Sequence, residues 1–359
     1  MKDISAIDKN MAIPCVCAEG IAWYDPASAP FRVGGLAWFA QDGVYRRLPD
    51  DPALPSAVND LRWNTTGGTI AFRTNANRIL VDVDFGNCPF AAMWHFAPTG
   101  ASGIDLYTGE PGHWKTSGVL RMEIGTYKGQ AELLRLSTPP QWRDCLLNLP
   151  LYGGIRSIRI GVEEEAQIAP PTPWASHKRI VIYGGSTVQG ACVSRPGRAY
   201  MNIIARHFNL DMVNLGFSGS SRFEPVLAKY TAAVKNPCVV FVEGDRNAGI
   251  DRVRDLEPAF IQTIRDAHPE VPIVVLHGNK VWDNDTLTLS EAKRLEIMEE
   301  QQKFVHKMQE HDKHLFWWNC QDFLGEDHTE ATVDGLHPND LGAYRIAENM
   351  IERLKTLLD

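Results

Sequence analysis

The stretch Arg179-Ile-Val-Ile-Tyr-Gly-Gly-Ser186 decides how the rest of the chain is read. Its apolar residues run without alternation and stop at two glycines and a serine. A continuous apolar run predicts a strand buried on both faces, as in a parallel sheet covered by helices. The pattern repeats downstream in Met212-Val-Asn-Leu215, Cys238-Val-Val-Phe-Val242, Pro272-Ile-Val-Val-Leu276 and Leu315-Phe-Trp317. Helical stretches separate these strands at about 199–207, 224–234, 257–267 and 290–310, and a last one follows at 339–357. Strand and helix in alternation predict a doubly covered parallel α/β sheet.

Upstream the texture differs. Thr69-Ile-Ala-Phe-Arg-Thr74, Ile79-Leu-Val-Asp-Val-Asp-Phe85 and Ile155-Arg-Ser-Ile-Arg-Ile-Gly-Val162 alternate apolar and polar residues between Gly, Asn and Asp turns. Period two with β-branched residues predicts half-buried antiparallel strands. No helical stripe interrupts this half, so it reads as an all-β, jelly-roll-like sandwich. Ala169-Pro-Pro-Thr-Pro173 then breaks both patterns, because proline continues neither strand nor helix. The expected domains are therefore 1–170 and 171–359.

Composition narrows the function classes. The 359 residues carry 36 basic and 44 acidic side chains, a net charge of −8. Nucleic-acid binding needs a basic surface, so it is not expected. No apolar run is long enough to span a bilayer, and no membrane partner is expected. The N-terminal MKDISAIDKN has no apolar secretory core, which favours a cytoplasmic protein, although a chain already stripped of its signal would read the same way. The seven cysteines are scattered and odd in number. They read as free thiols, neither a disulfide framework nor a zinc set. The sequence calls for no metal and no cofactor.

In an open α/β sheet, ligands bind beyond the carboxyl ends of the strands. Those ends carry Gly184-Gly-Ser-Thr187, Gly216-Phe-Ser-Gly219, Glu243-Gly-Asp-Arg-Asn247 and His277-Gly-Asn-Lys280. Asp334-Gly-Leu-His-Pro-Asn-Asp340 precedes the last helix. Ser186 is the candidate nucleophile. Two glycines permit a tight strand-to-helix turn that exposes its hydroxyl beside backbone N–H groups. Taken alone, such a turn is equally a helix cap or a phosphate cradle. A serine also needs a base, and His337 can supply it, with Asp334 three residues earlier to fix the imidazole tautomer.

These blocks resemble the SGNH/GDSL hydrolases. Tyr183-Gly-Gly-Ser-Thr-Val-Gln-Gly190 looks like the family's nucleophile block, with Gly185 where the family has Asp. The resemblance makes Ser186 the nucleophile and its N–H an oxyanion donor. It assigns a second oxyanion N–H to Gly216 in Asn214-Leu-Gly-Phe-Ser-Gly219, and a side-chain donor to Asn247 in an irregular third block. It makes Asp334 and His337 the rest of a triad. Ser102-Gly-Ile-Asp-Leu-Tyr107 is similar to the Gly-x-Asp-Leu-Tyr signature of a sandwich that precedes one branch of the family, and Ser194-Arg-Pro-Gly-Arg-Ala-Tyr200 fits that branch. The resemblance implies a flavodoxin-like three-layer α/β/α catalytic domain behind a jelly-roll-like sandwich. It further implies ester hydrolysis without metal or cofactor, often on acylated carbohydrates.

The expected reaction is hydrolysis of short acyl esters, acetyl above all, on a small-molecule or oligosaccharide substrate. Seven of the ten tryptophans fall by Trp174 and could stack on sugar rings, although Trp63, Trp94 and Trp114 read individually as sandwich core. Arg195, Arg198 and Arg222 lie near the expected substrate edge but read as surface salt links. Glu243 and Arg246 could support the site from behind. Cys192 has no evident base. The rival readings are acyl transfer, thioester or lipase-like cleavage by the same triad, and a catalytically weak carbohydrate-binding relative. A P-loop is excluded by the absence of its lysine. Assembly as a homo-oligomer stays open.

Overall fold

The structure is a computed structural model that describes residues 4–282 and 291–358. Ser290, where the sequence starts its long helix, lies outside the described residues. In the first half, strands β1 (Ile21–Tyr24), β2 (Arg32–Gly34), β3 (Thr69–Thr74), β4 (Arg78–Asp84), β5 (Asp105–Gly109), β6 (Lys115–Val119), β7 (Lys128–Arg135), β8 (Arg143–Asn148), β9 (Ser157–Glu163) and β10 (Ile168–Ala169) form two sheets. Their orders are β1-β9-β4-β7 and β10-β3-β8-β5-β6, with β2 added to β3, and every pairing within them is antiparallel. Alternate residues meet between the sheets. Ile79, Val81 and Val83 of β4 and Ile158, Ile160 and Val162 of β9 pack against Ile70 and Phe72 of β3 and Leu147 of β8. This is the period-two pattern expressed as a sandwich core.

In the second half, β11 (Arg179–Gly184), β12 (Asp211–Gly216), β13 (Pro237–Val242), β14 (Ile273–His277) and β15 (Leu315–Asn319) form a sheet of order β12-β11-β13-β14-β15. All its pairings are parallel. That order places a topological switch point at the carboxyl end of β11, between β12 and β13. Helices cover both faces. Ile180, Ile182 and Phe241 pack on one side with Ile204, Ile346 and Met350. Val181, Tyr183 and Val240 pack on the other with Leu227, Phe260 and Val305. Burial on both sides is why these strands read as unbroken apolar runs. One helix that the sequence does not announce, Asp245–Asp255, starts inside the third block and is broken at Gly249. No described helix is long and apolar enough to cross a membrane.

The two halves share core. Trp38, Leu48, Leu54 and Val58 enter the packing on one face of the parallel sheet, and Phe96, Ala101 and Leu151 enter the other. The Gly-x-Asp-Leu-Tyr segment supplies the polar part of the joint. Asp105 is fully buried and accepts from Asn148 Nδ2, Arg195 Nη1 and Gly197 N–H, each at 2.8 Å. Arg195 also donates to the Tyr107 hydroxyl at 2.7 Å, and the Arg206 guanidinium lies 4.0 Å above the Tyr107 ring. Gly103 has no room for a side chain, because a Cβ there would fall 1.9 Å from Thr99 O. Two of the three arginines near the substrate edge thus make salt links: Arg195 to Asp105, and Arg198 to Asp340 at 3.7 Å. The proline segment is strapped down too, since Thr172 donates from its N–H and hydroxyl to Asp144 at 2.7 and 2.8 Å.

Removing one partner of a buried, hydrogen-bonded ion pair strands the other. Asp105→Ala should therefore lower stability by about 3 kcal/mol. Chemical denaturation followed by tryptophan fluorescence checks this; an unchanged midpoint would show that the joint tolerates the loss.

Candidate active site

The turn after β11 is crowded on every side. A Cβ at Gly184 would fall 2.3 Å from Val188 Cγ2 and 2.7 Å from Glu243 Oε2. At Gly185 it would fall 2.5 Å from Asn247 Oδ1. The second contact sets the Asn247 amide directly against the turn at Gly185. Glu243 Oε2 accepts the Gly185 N–H at 2.9 Å, so this buried carboxyl holds the turn from beneath. Burial, then the nearby charge of Asp245, pushes the Glu243 carboxyl above the usual carboxylate range. His277 Nδ1 lies 2.8 Å from Asp245 Oδ2, and Asp245 is held low.

Ser186 opens the helical turn Ser186–Gln189, and its Oγ lies 2.8 Å from His337 Nε2. His337 Nδ1 lies 2.7 Å from Asp334 Oδ2. Asp334 Oδ1 accepts the backbone N–H of His337 at 2.8 Å and of Leu336 at 3.1 Å. Gly335, at φ +85°, makes this reverse turn against Trp282, and Asn339 Oδ1 then caps the final helix through Leu341 and Gly342 N–H. Burial alone would raise the Asp334 carboxyl. The hydrogen bonds from the His337 ring and from the two backbone N–H groups override it and hold the carboxyl well below the usual range. Ser186, His337 and Asp334, separated by 151 residues of chain between the first two, thus form one continuous hydrogen-bonded line.

The expected oxyanion donors separate. The Gly216 N–H is already given to Asn214 Oδ1 at 2.8 Å, so it is not a free donor. The neighbouring N–H groups of Phe217, Ser218 and Ser220 are also engaged, by Gly184 O, Gln189 Oε1 and Phe217 O. The Gly219 N–H has no acceptor among the described residues, and Gly219 sits at φ +67° in the turn Phe217–Ser220. A turn needing positive φ was the sequence signal for that position. Asn247 does lie at the serine turn. Its Oδ1 accepts from Ser221 Oγ at 2.8 Å, and its Nδ2 has no acceptor among the described residues. Arg47, fully buried, donates to the carbonyls of Asn64, Leu61 and Gly216 and braces the end of β12 from the first half. Gln189 ties the same region together. It donates to Asn64 Oδ1 and Leu151 O at 3.0 and 3.1 Å and accepts from Ser218 N–H at 2.9 Å.

Two further side chains at the site come from the sandwich. His95 Nε2 lies 4.0 Å from Asp334 Oδ2, and its ring meets the His337 ring edge-on at 5.4 Å. Trp94 stacks on His95 at 4.3 Å and is 84% exposed, so it is not sandwich core. Nothing local in Met93-Trp-His-Phe96 marks these residues, because their placement depends on how the two halves dock. Cys192 is buried nearby, and burial, then the charge of Asp334, pushes its thiol up to about 12. A thiol kept protonated is a poor nucleophile. His95, Cys192 and His337 bring their ligating atoms within 4.8 Å of one another.

Family comparisons agree with this architecture. Residues 177–355 match the model of the GDSL-like lipase/acylhydrolase family, and residues 21–168 match the GxDLY N-terminus of SGNH-hydrolase-type esterases. A Bacteroides ovatus ATCC 8483 protein described as a GDSL-like lipase superposes with TM-score 0.82 and 28% identity, covering 94% of this chain and 98% of its own. A salicylyl-acyltransferase from a tetracycline biosynthetic pathway gives TM-score 0.76 at 18% identity, with 95% and 98% covered. A family two carbohydrate esterase from Cellvibrio japonicus gives 0.60 at 12%, with 94% and 98% covered. Among curated proteins no relative matches. The two family matches run in sequence along nearly the whole chain, and the chain belongs to the GDSL-like lipase/acylhydrolase family as an SGNH-type esterase with a GxDLY N-terminus.

Proposed function

We propose that the protein is a serine esterase that removes short acyl groups, acetyl above all, from carbohydrate hydroxyls. The observation that carries this reading is the unbroken Ser186–His337–Asp334 line, with contacts of 2.8 and 2.7 Å. Ser186 Oγ attacks the ester carbon while His337 Nε2 takes its proton. His337 Nδ1–H stays on Asp334, whose ionised carboxylate stabilises the imidazolium. The proton then passes to the leaving alcohol, and the acyl group remains on Ser186. Water, deprotonated by His337, hydrolyses that intermediate. The tetrahedral oxyanion is held by Ser186 N–H, Gly219 N–H and Asn247 Nδ2, with Gly219 taking the place first given to Gly216. What supports this choice is that neither the Gly219 N–H nor Asn247 Nδ2 has an acceptor among the described residues, and that the Asn247 amide meets the serine turn at Gly185.

The carbohydrate part has separate support. Solved structures of the same fold include the family two carbohydrate esterase and an acetyl xylan esterase from Butyrivibrio proteoclasticus at TM-score 0.58. An exposed tryptophan also stands at the mouth of the site. Acyl transfer is the second reading, favoured by the salicylyl-acyltransferase likeness; it needs only an acceptor alcohol in place of water.

Hydrolysis of p-nitrophenyl acetate, butyrate, octanoate and palmitate tests the acyl preference, and activity should fall with chain length. Ser186→Ala should lower kcat by ~10⁴-fold or more. Near-wild-type turnover in that variant would overturn the mechanism. Asn247→Ala should lower kcat by ~10²–10³-fold, and a negligible change would remove Asn247 from the oxyanion hole. The His337 hydrogen bond keeps Asp334 ionised well below the usual carboxylate range. In His95→Gln, which removes the second imidazole beside Asp334, the acidic limb of kcat/KM should therefore show the loss of one proton, with no second break between pH 6 and 4. A limb of slope two would show that Asp334 titrates with the base.

A further inference from the structure

One turn of the sandwich half, Met93–Phe96, reaches the His337–Asp334 pair. Met93 and Phe96 close it with reciprocal backbone bonds of 2.9 and 3.1 Å. Phe96 is buried in the core of the α/β half and meets Tyr152 edge-on at 5.5 Å. The Tyr152 hydroxyl donates to Ser186 O at 3.4 Å. Behind the turn, a Cβ at Gly100 would fall 2.0 Å from Val193 O, and Thr99 Oγ1 donates to Ser194 O at 2.8 Å. The turn is therefore pinned at its base to the loop that follows the serine.

Its tip carries an unusual pair. Trp94 lies nearly parallel to the His95 ring, at 16°, with most of its surface in solvent. Leaving a tryptophan exposed forgoes a large burial gain, and stacking orients its plane before anything binds. Beneath it, His95 Nδ1 is buried without a hydrogen-bond partner among the described residues. The groups that face His95 are Asp334, His337 and Cys192, besides Trp94. Burial and then the charge of His337 push the His95 pKa down, which favours the neutral ring. A neutral ring fills the space beside His337 without competing for Asp334 when His337 takes up a proton.

We propose that the Met93–Phe96 turn is the leaving-group wall of the active site, in which Trp94 is a specificity residue whose face receives a sugar ring and His95 is a positioning residue that keeps His337 between Ser186 and Asp334. This deepens the esterase reading above and rests on it. The sandwich is then part of the catalytic unit. It selects the alcohol, while the parallel-sheet half performs the acyl chemistry.

Steady-state kinetics on two acetyl esters, xylose tetraacetate and ethyl acetate, separate the roles. Trp94→Ala should raise KM for the sugar ester about tenfold more than for ethyl acetate. His95→Ala should lower kcat about tenfold on both esters while moving KM less, and His95→Gln, which keeps bulk and a donor, should recover part of the loss. Equal effects of Trp94→Ala on the two esters, or an unchanged kcat in His95→Ala, would overturn the assignment. Calorimetric titration of Ser186→Ala with xylose tetraacetate reads the wall without turnover. Adding Trp94→Ala should weaken binding about tenfold, and equal binding or none in both proteins overturns the wall whatever the wild type hydrolyses. If wild type hydrolyses neither ester while binding still depends on Trp94, the esterase reading fails and the wall stands.

Discussion

The turn Gly184-Gly185-Ser186 has no space for a side chain before the serine, and much of the site depends on that exclusion. Val188 and Glu243 close on Gly184, and the Asn247 amide closes on Gly185. This crowding lets the backbone pass directly from the end of β11 into a helical turn with Ser186 at the surface of the cleft. It also fixes Asn247 beside the serine and makes Gly185 N–H the donor to buried Glu243. The sheet order contributes the other half of the constraint. With β12 and β13 on opposite sides of β11, their following loops diverge at the strand end that carries Ser186, which is where an open α/β sheet binds its ligands. The turn at Asp334–His337 meets Ser186 at that strand end just before the last helix.

The sandwich is built into this arrangement. Asp105 gathers Asn148 from its own half and Arg195 and Gly197 from the other. Arg47 and Gln189 continue the joint up to the end of β12, so the loop bearing Gly219 is braced by both halves. The result is a site whose chemistry sits on one sheet and whose walls draw on both halves. Shared core packing on both faces of the parallel sheet makes large independent movement of the halves costly, since apolar surface would have to be exposed.

Much of this was legible in the sequence, for stated physical reasons. Strands buried on both faces must be apolar throughout, and strands of a sandwich must alternate, so the two fold types declared themselves in local texture. Ser186, Asp334 and His337 were legible because each sits on a turn whose glycine or spacing serves its geometry. The Asp105 segment also stood out as a motif, although only the structure shows that it binds Arg195 and Gly197. What stayed hidden depended on hydrogen-bond bookkeeping or docking. Gly216 ends β12 and Gly219 follows it in the next turn, and what tells them apart as donors is Asn214 capturing the Gly216 N–H. Trp94 reads as core in a sandwich until its turn is seen to point out over His95. His95 lies in the other half of the chain from His337, and no periodicity links the two.

The central claim is that Ser186 is the activated nucleophile of this line. Brief treatment of the native protein with a fluorophosphonate, followed by peptide mass spectrometry, reads it directly. The account predicts a single adduct on Ser186 that disappears when the protein is unfolded before treatment. No adduct on the native protein, or one carried by another residue such as Cys192, would contradict it.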